Sequence, residues 1–293
     1  MQRGVIDDCW LPAAFTWASG GRLMNRWRPS LIALDIDVFL MQYQGISESP
    51  TPALVAAIQR ARDCGIHIVL TTGRWWQAAV QVHNAFGMQD GYVVCSNGAV
   101  VVDVESRRLI YLATFDASDA VHFFAKHVPG ASFAVEEPGL GYRGTVDFPE
   151  GELNGRFTVV EHAELLHREV TRLVVQWSGG NRDVLHQIAL SSGLKGVCYA
   201  IRNDAWLDVV RAGISKVSGL RLVASLLSIS PDDVLAMGDN HSDIEMLVWA
   251  GHSVATEQAP ADVQAIADEV CSGVEEDGHI AVLDRYLDES ARN

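Results

Sequence analysis

The sequence predicts an α/β fold: a doubly wound, Rossmann-like parallel sheet into which an α+β domain is inserted. Between residues 31 and 98, short apolar segments alternate with amphipathic segments of helical period, a pattern typical of parallel strands joined by right-handed crossovers. From 105 to 205 the rhythm changes to a mixture of helices, strands and turns rich in Gly and Pro. The alternation resumes from residue 206, so we interpret the middle segment as an insertion.

The first part of the predicted sheet has three strands and two helices. The helix after Pro52 carries its apolar side chains on one face and is ended by Gly65, and Gly87 ends the next helix in the same way. In chain order we predict a strand at 31–35, a helix at 52–64, a strand at 66–72, a helix at 74–86 and a strand at 92–96.

The remaining elements divide between the insertion and the returning sheet. A predicted hairpin at 99–114 leads into the insertion, which contains the helix "DASDAVHFFAKH" and the strands "TRLVVQW" and "VCYAIRN". The sheet then continues with a helix at 216–227, the strand "DVLAMGD", the helix "SDIEMLVWA", the strand "HSVAT" and two closing helices within 260–287. The predicted domains are an N-terminal extension at 1–23, a core at 24–104 and 206–293, and an inserted cap at 105–205.

Composition excludes several classes of partner and site. The chain carries 22 Lys and Arg against 37 Asp and Glu, a formal charge of −15, which argues against nucleic acid or an anionic membrane as a partner. Five scattered cysteines without C-x-x-C spacing suggest neither a disulfide framework nor a zinc site, and favour a reducing cytoplasm. Asp7, Asp8 and Pro12 make the first 23 residues unlike a signal peptide. No apolar run in the sequence approaches the length of about 20 residues that a membrane span requires.

Polar side chains collect where the predicted strands end. Ligands of doubly wound sheets bind beyond the carboxyl ends of the strands, and these ends carry Asp35, Asp37, Thr71, Thr72, Gly73, Arg74, Ser96, Asn97, Gly98, Asp239, Asn240, Ser242 and Asp243. Several carboxylates at one point repel each other unless a cation lies among them, and oxygen ligands without His or Cys favour Mg²⁺. Lys216 adds a positive charge at the same edge, which phosphoryl transfer to or from a carboxylate requires.

The order and spacing of five motifs resemble the haloacid dehalogenase-like phosphatases. The motifs are "DID", "TTGR", "SNGA", "GISKVSGL" and "MGDNHSDIEML". Within that superfamily the chain looks most like the Cof-like sugar-phosphatase group, which has a large α/β cap. The resemblance extends from about residue 31 to 288, and its most specific part is the "GDNHSDIEMLVWAGHSVAT" segment.

The resemblance implies a role for each matched residue. Asp35 would be the nucleophile that becomes an aspartyl-phosphate, and Asp37 would be the general acid and base. Thr72 would hydrogen-bond the transferring phosphoryl group, with its backbone N–H and that of Gly73 nearby, and Lys216 would neutralise the phosphoaspartate. Mg²⁺ would be held by Asp35, Asp239, Asp243 and the carbonyl of Asp37. Arg74 and Asn97 are further candidates for binding phosphate or substrate. The implied protein is a cytoplasmic, Mg²⁺-dependent phosphatase of a small, sugar-phosphate-like metabolite.

Two departures from the family pattern leave alternatives open. Val38 and Phe39 replace a Gly and a Thr after the second Asp, and Ser242 stands where the family often has Asn. A β-branched residue at a turn suited to Gly costs about 1–3 kcal/mol unless the turn is rebuilt. One alternative is therefore a weakened relative that binds a phosphometabolite or a protein partner; another is a phosphosugar mutase-type phosphotransferase. Within the cap, Arg143, Asp147 and Arg202 are the candidates for substrate recognition.

Overall fold

The computed structural model describes residues 27–36, 50–146, 148, 153, 155–165, 169–194 and 196–287. The predicted N-terminal extension at 1–23 lies outside these residues. So do Asp37, Val38, Phe39 and Asp147. Among the helices that the structure describes, none is both long and apolar enough to cross a membrane.

The described strands follow the predicted order and add several that the patterns did not single out. They are β1 (Leu31–Asp35), β2 (His67–Thr71), β3 (Tyr92–Cys95), β4 (Val100–Asp103), β5 (Arg108–Leu112), β6 (Phe115–Asp116), β7 (Ser132–Glu137), β8 (Gly141–Gly144), β9 (Phe157–Val159), β10 (Glu169–Val170), β11 (Arg172–Trp177), β12 (Gly196–Ile201), β13 (Asp204–Val209), β14 (Val234–Gly238), β15 (His252–Thr256) and β16 (Glu269–Cys271).

The described α-helices agree with the predicted ones to within a few residues and add one in the insertion. They are α1 (Pro52–Asp63), α2 (Trp76–Ala85), α3 (Ser118–His127), α4 (Arg182–Ser191), α5 (Lys216–Leu226), α6 (Ile244–Trp249), α7 (Ala261–Ile266) and α8 (Gly278–Leu287). Local sequence explains their ends: α1 starts with a Thr51 side-chain cap and a Pro in its first turn, and α4 starts with an Asn181 cap.

The larger sheet confirms the predicted doubly wound architecture. Within the described residues its strand order is β16-β15-β14-β1-β2-β3-β4-β5. The neighbours from β16 to β3 pair in parallel, whereas β4 and β5 are antiparallel additions at one edge. Since the chain winds outward from β1 in both directions, a crevice forms at the carboxyl ends of β1 and its neighbours β14 and β2.

Helices cover both faces of this sheet, which explains its uninterrupted apolar strands. Ile32 and Leu34 of β1 pack with α1, α2 and α8. Leu31 and Ala33 face the other side, toward α5, α6 and α7. A strand buried on both faces reads as a continuous apolar run, so the first polar side chain after that run, Asp35, marks the strand's carboxyl end.

A second sheet is formed by the inserted segment. Its strand order is β12-β13-β11-β7-β8-β9 over the described part of the chain, and α3 and α4 pack on one face. Trp75, from the loop before α2, lies against Ala134, Val174 and Trp206 on the other face. The domain limits at 105 and 205 stay a prediction, but strand pairing favours slightly later ones, because β5 belongs to the first sheet and β13 to the second.

Candidate active site

Three buried carboxylates meet at the carboxyl edge of the larger sheet. Asp35 ends β1, and Asp239 and Asp243 follow the adjacent β14. Parallel pairing sets Leu34 beside Met237 and Asp35 beside Thr71, so residues distant in sequence emerge at the same level. Ligand oxygens of the three carboxylates lie within 4.8 Å of one another. This is the grouping that the sequence predicts.

Lys216 joins two of these carboxylates. It is the first residue of α5, and its Nζ lies 2.7 Å from Asp35 Oδ1 and 2.7 Å from Asp243 Oδ1. Burial disfavours the charged ammonium, but the carboxylates of Asp243 and Asp35 outweigh this effect and raise the pKa of Lys216 above its ordinary value. The lysine is therefore a permanent cation beside the predicted nucleophile.

The Asp243 carboxylate is fixed on both of its oxygens. While Oδ1 binds Lys216, Oδ2 accepts hydrogen bonds from the backbone N–H groups of Asp239 and Asn240, at 3.0 and 2.9 Å. The preceding Gly238 has no room for a side chain, because a Cβ there would lie 2.6 Å from the Asp243 Cβ. The loop after β14 thus wraps closely around one carboxylate and holds it in place.

We call Asp35, Asp239, Asp243 and Lys216 the core cluster. Its three carboxylates and one ammonium leave a formal charge of −2 at a buried position. Such a charge is stable only with a further cation or with bound protons. A set of close carboxylate oxygens matches the ligand preference of Mg²⁺. The donor set present therefore fits the predicted ion.

The loop after β2 supplies the predicted phosphate-binding residues. The backbone N–H of Thr72 donates to the carbonyl of Val94 at 2.9 Å, and the Thr72 Oγ1 accepts from the N–H of Arg74 at 3.0 Å. The expectation that the Thr72 N–H lies free near the phosphoryl group is therefore wrong, because this N–H is bonded to the backbone of β3.

The loop after β3 is hydrogen-bonded to the loop after β2. The N–H of Asn97 donates to the Thr72 carbonyl at 3.0 Å, and the N–H of Ser96 donates to the Arg74 carbonyl at 3.0 Å. Ser96, Asn97 and Gly98 all have left-handed backbone angles. Gly98 is required, because a Cβ there would lie 1.9 Å from the Ser215 carbonyl oxygen beside Lys216. The predicted motif residues thus form one connected set of loops.

A cavity of about 230 Å³ lies between this edge and the inserted segment. Residues of the motif loops and of the cap both line it, among them Asn97, Lys216, Ser242, Arg182, His186 and Asp208. Two candidates for substrate recognition, Arg143 and Arg202, are not among the described residues that line it. Arg143 instead forms ion pairs with Glu137 and Glu164, at 3.1 and 2.9 Å.

Sequence reasoning missed three charged residues beside the motif loops. Glu136, Arg172 and Asp208 come from β7, β11 and β13, and we call them the cap cluster. They are 1%, 4% and 4% exposed. The available signal was a charged residue within an otherwise apolar strand, as in "FAVEE", "TRLVVQW" and "WLDVV"; a charge at such a position requires a buried partner.

The chain matches one protein family and is similar to several known proteins. The haloacid dehalogenase-like hydrolase family matches residues 32–283. The phosphoglycolate phosphatase of Natronomonas pharaonis is 27% identical over 257 residues, covering 88% of this chain and 97% of that protein. The 5-amino-6-(5-phospho-D-ribitylamino)uracil phosphatase of Bacillus subtilis is 24% identical over 293 residues, covering 89% of this chain and 98% of that protein.

A solved structure shares the fold. It is a phosphatase of the same enzyme superfamily from Bacteroides thetaiotaomicron, which aligns with a TM-score of 0.73 at 24% identity over 92% of this chain and 99% of its own. The family match spans the motif loops, both sheets and the intervening insertion. The chain belongs to the haloacid dehalogenase-like hydrolase family.

Proposed function

We propose that this protein is a Mg²⁺-dependent phosphatase that hydrolyses a small phosphorylated metabolite through an aspartyl-phosphate intermediate. The observation that carries the proposal is the core cluster. A carboxylate held 2.7 Å from a buried lysine provides a nucleophile beside a positive charge. The two further carboxylates complete a ligand set for Mg²⁺, which would offset the charge of the phosphoryl group. Two relatives with phosphatase names, and with coverage of most of both chains, support the same reaction class.

Each step has a residue of this chain to perform it. An oxygen of the Asp35 carboxylate attacks phosphorus, and the bond from phosphorus to the alcohol oxygen breaks. Lys216 offsets the repulsion between carboxylate and phosphoryl group, and the Thr72 hydroxyl donates to a phosphoryl oxygen. Asp37, in its predicted role, protonates the departing oxygen. Water then attacks phosphorus and gives its proton to Asp37, the bond to Asp35 breaks, and phosphate leaves.

Mg²⁺ would be held by Asp35, Asp239 and Asp243, with the predicted Asp37 carbonyl, and would offset charge on the phosphoryl oxygens. The cavity of about 230 Å³ is lined by Lys216 of the core cluster and has room only for a small molecule. The formal charge of −15 disfavours a nucleic-acid substrate. We place the protein in the cytoplasm because Cys64, Cys95, Cys198 and Cys271 are free thiols.

A second candidate is a weakened relative that binds a phosphometabolite or a partner without efficient turnover. The observation that favours it is the pair Val38 and Phe39, which stands where the family has Gly and Thr and follows the predicted acid Asp37. If Asp37 were misdirected, kcat would fall by as much as the factor of about 10²–10⁴ that general acid–base catalysis supplies. Asp35 could still attack, so an activated substrate would still react.

The test is release of phosphate from a panel of metabolites that includes phosphoglycolate, hexose and pentose phosphates, and p-nitrophenyl phosphate. We expect turnover that needs Mg²⁺ and is lost with a chelator. In an acid-quenched reaction the intact protein should gain the mass of one phosphoryl group, and Asp35→Asn should not. Turnover without a divalent ion, or by Asp35→Asn, would contradict the mechanism. Activity on p-nitrophenyl phosphate alone would favour the weakened relative.

A further inference from the structure

The cap cluster is a buried ion triad. Arg172 Nη2 lies 2.9 Å from Glu136 Oε2, and Arg172 Nη1 lies 2.7 Å from Asp208 Oδ2. Two carboxylates share this one guanidinium. Burying such charges is costly unless every group is paired and hydrogen-bonded. The remaining hydrogen bonds of the triad therefore indicate which parts of the protein it connects.

Some of these bonds stay within the inserted sheet. Glu136 accepts from the Thr171 hydroxyl at 3.0 Å and from the Tyr142 hydroxyl at 3.3 Å. Asp208 accepts from the Tyr199 hydroxyl at 3.1 Å. These contacts fix both carboxylates in the cap and would exist whatever lay against it.

The other bonds reach the motif loops of the core, and each member of the triad makes one. Arg172 Nη1 donates to the carbonyl oxygen of Gly73, Ser96 Oγ donates to Glu136 Oε1, and Asn97 Nδ2 donates to Asp208 Oδ2 at 3.2 Å. Gly73 directly follows Thr72, and the Asn97 N–H holds the Thr72 carbonyl. The triad therefore contacts the phosphate-binding loop from two sides.

Arginine is suited to this position in a way that lysine is not. The planar guanidinium binds Glu136, Asp208, Tyr142 and the Gly73 carbonyl at once, whereas an ammonium is a single point charge on a flexible stem. Arg172 on β11 thus connects three other strands of the cap, β7, β8 and β13, to the loop after β2. The pairing is complete only when the cap lies against the core.

We propose that Arg172 is a positioning residue for the active site, which holds the Gly73 peptide, and through Asp208 and Asn97 the Thr72 carbonyl, in the orientation that phosphoryl transfer needs. Arg172 acts through the loop and touches no reacting atom. The proposal rests on the proposed function for its kinetic readout. It differs from substrate recognition by the cap, since it applies equally to every substrate.

The test compares Arg172→Lys with Tyr142→Phe. The second variant is the matched control. It removes a hydroxyl whose bonds to Arg172 and Glu136 lie within the cap, and it keeps the bonds from the triad to the core loops. We expect Arg172→Lys to lower kcat by about 10–10²-fold, the scale of a misplaced reacting group, with KM changed by less than about threefold. The factor should be the same for p-nitrophenyl phosphate and the best metabolite of the panel. Tyr142→Phe should retain wild-type kcat.

Two further measurements separate positioning from general loosening. Hydrogen exchange of the Ser96 and Asn97 amides should be faster in Arg172→Lys, while Mg²⁺ affinity by calorimetry should be unchanged. A folded Arg172→Lys variant with wild-type kcat on both substrates would overturn the proposal. A loss confined to the metabolite would also overturn it, by assigning Arg172 to substrate recognition.

The remaining outcomes are covered by two other experiments. Should Arg172→Lys fail to fold, Asp208→Ala removes the carboxylate that joins Arg172 to Asn97 and leaves Arg172 paired with Glu136. A wild-type kcat on p-nitrophenyl phosphate in that variant would overturn positioning through the triad. If the wild-type protein hydrolyses nothing, the proposed function fails on its own. Binding of inorganic phosphate with Mg²⁺ then provides the readout: about tenfold weaker for Arg172→Lys than for Tyr142→Phe supports the proposal, and equal affinity overturns it.

Discussion

Two buried charge clusters lie near the contact between the motif loops and the cap, and their residues are paired in different ways. The core cluster has three carboxylates and one lysine, and the cap cluster has two carboxylates and one arginine. Both have an excess of negative charge. They differ in the basic residue. The lysine contacts two carboxylate oxygens, whereas the arginine guanidinium bonds carboxylates, a hydroxyl and a backbone carbonyl.

The comparison shows how the same residue types can give a reactive site or a structural joint. In the core, a formal charge of −2 and a close set of carboxylate oxygens favour the entry of a divalent ion, which would in turn offset the charge of a phosphoryl group. In the cap cluster, the carboxylates accept hydrogen bonds from Thr171 and Tyr199 of the cap and from Ser96 and Asn97 of the core loop after β3. We therefore expect changes in the core cluster to alter chemistry and metal binding, and changes in the cap cluster to alter geometry and stability.

The largest effect should come from Asp35→Asn. The amide keeps the shape of the side chain but cannot form the aspartyl-phosphate, so kcat should fall by more than about 10³-fold on every substrate. Steady-state release of phosphate measures this loss. Asp63→Asn, an exposed change with the same chemistry at the end of α1, is the control and should be fully active. A loss of less than about tenfold would show that another group attacks phosphorus.

Lys216→Met should have the next largest effect and should separate metal binding from catalysis. Without the ammonium, the formal charge of the core cluster goes from −2 to −3, so calorimetry should show tighter Mg²⁺ binding. The kcat should nevertheless fall by about 10²–10³-fold, because a positive charge that faces the phosphoryl group is gone. Weaker Mg²⁺ binding in a folded variant would mean that Lys216 orients the ligands rather than competing with the ion.

The core cluster could be predicted because its residues follow apolar strands directly. Asp35 and Asp239 are the first polar side chains after strands buried on both faces, and parallel pairing brings such ends together. Lys216 is found at the start of a clear amphipathic helix. The sequence could not reveal that the Thr72 N–H is bonded to Val94, because that depends on how β2 and β3 pair beyond their regular ends.

The cap cluster could not be predicted to the same degree. Each of its charges is visible in an apolar strand, but the oppositely charged partners are 36 residues apart in the sequence. Alternation along one strand does not indicate which strand lies beside it. The pairing of β11 between β7 and β13 brings Arg172 to Glu136 and Asp208. The cap candidates Arg143 and Arg202 were chosen by charge alone, without a strand order to place them.

Stability should respond more to the cap cluster than to surface ion pairs. Arg172→Met leaves Glu136 and Asp208 buried without their cation, and breaking a buried pair in this way costs about 3–5 kcal/mol. Urea unfolding measures the change. Arg182→Met is the matched control, because the Arg182–Asp183 pair has side chains 48% and 75% exposed, and exposed pairs are worth about 0–1 kcal/mol. Equal losses of unfolding free energy for both variants would show that the buried triad stabilises the fold no more than an exposed ion pair.

The smallest expected effect concerns a buried histidine that belongs to neither cluster. His83, on α2, is fully buried near Arg62 and Asp90, and burial lowers its pKa to about 4 from 6.5. The neutral ring is therefore favoured in the folded state, and the unfolded chain binds the proton first as the pH falls. Stability from this residue is present above pH 6.5 and is lost progressively as the pH falls toward 4.

His83→Gln removes that titration and leaves both clusters in place. Between pH 7.5 and pH 5, the free energy of unfolding of the wild type should fall by about 2 kcal/mol more than that of the variant. His279 has a pKa lowered to about 4 for the same reason, but it is common to both proteins and cancels in the difference. Urea unfolding at the two pH values checks this. Parallel pH profiles would show that the acid sensitivity of the fold comes from the carboxylates and His279, because His83 would then titrate alike in the folded and unfolded states.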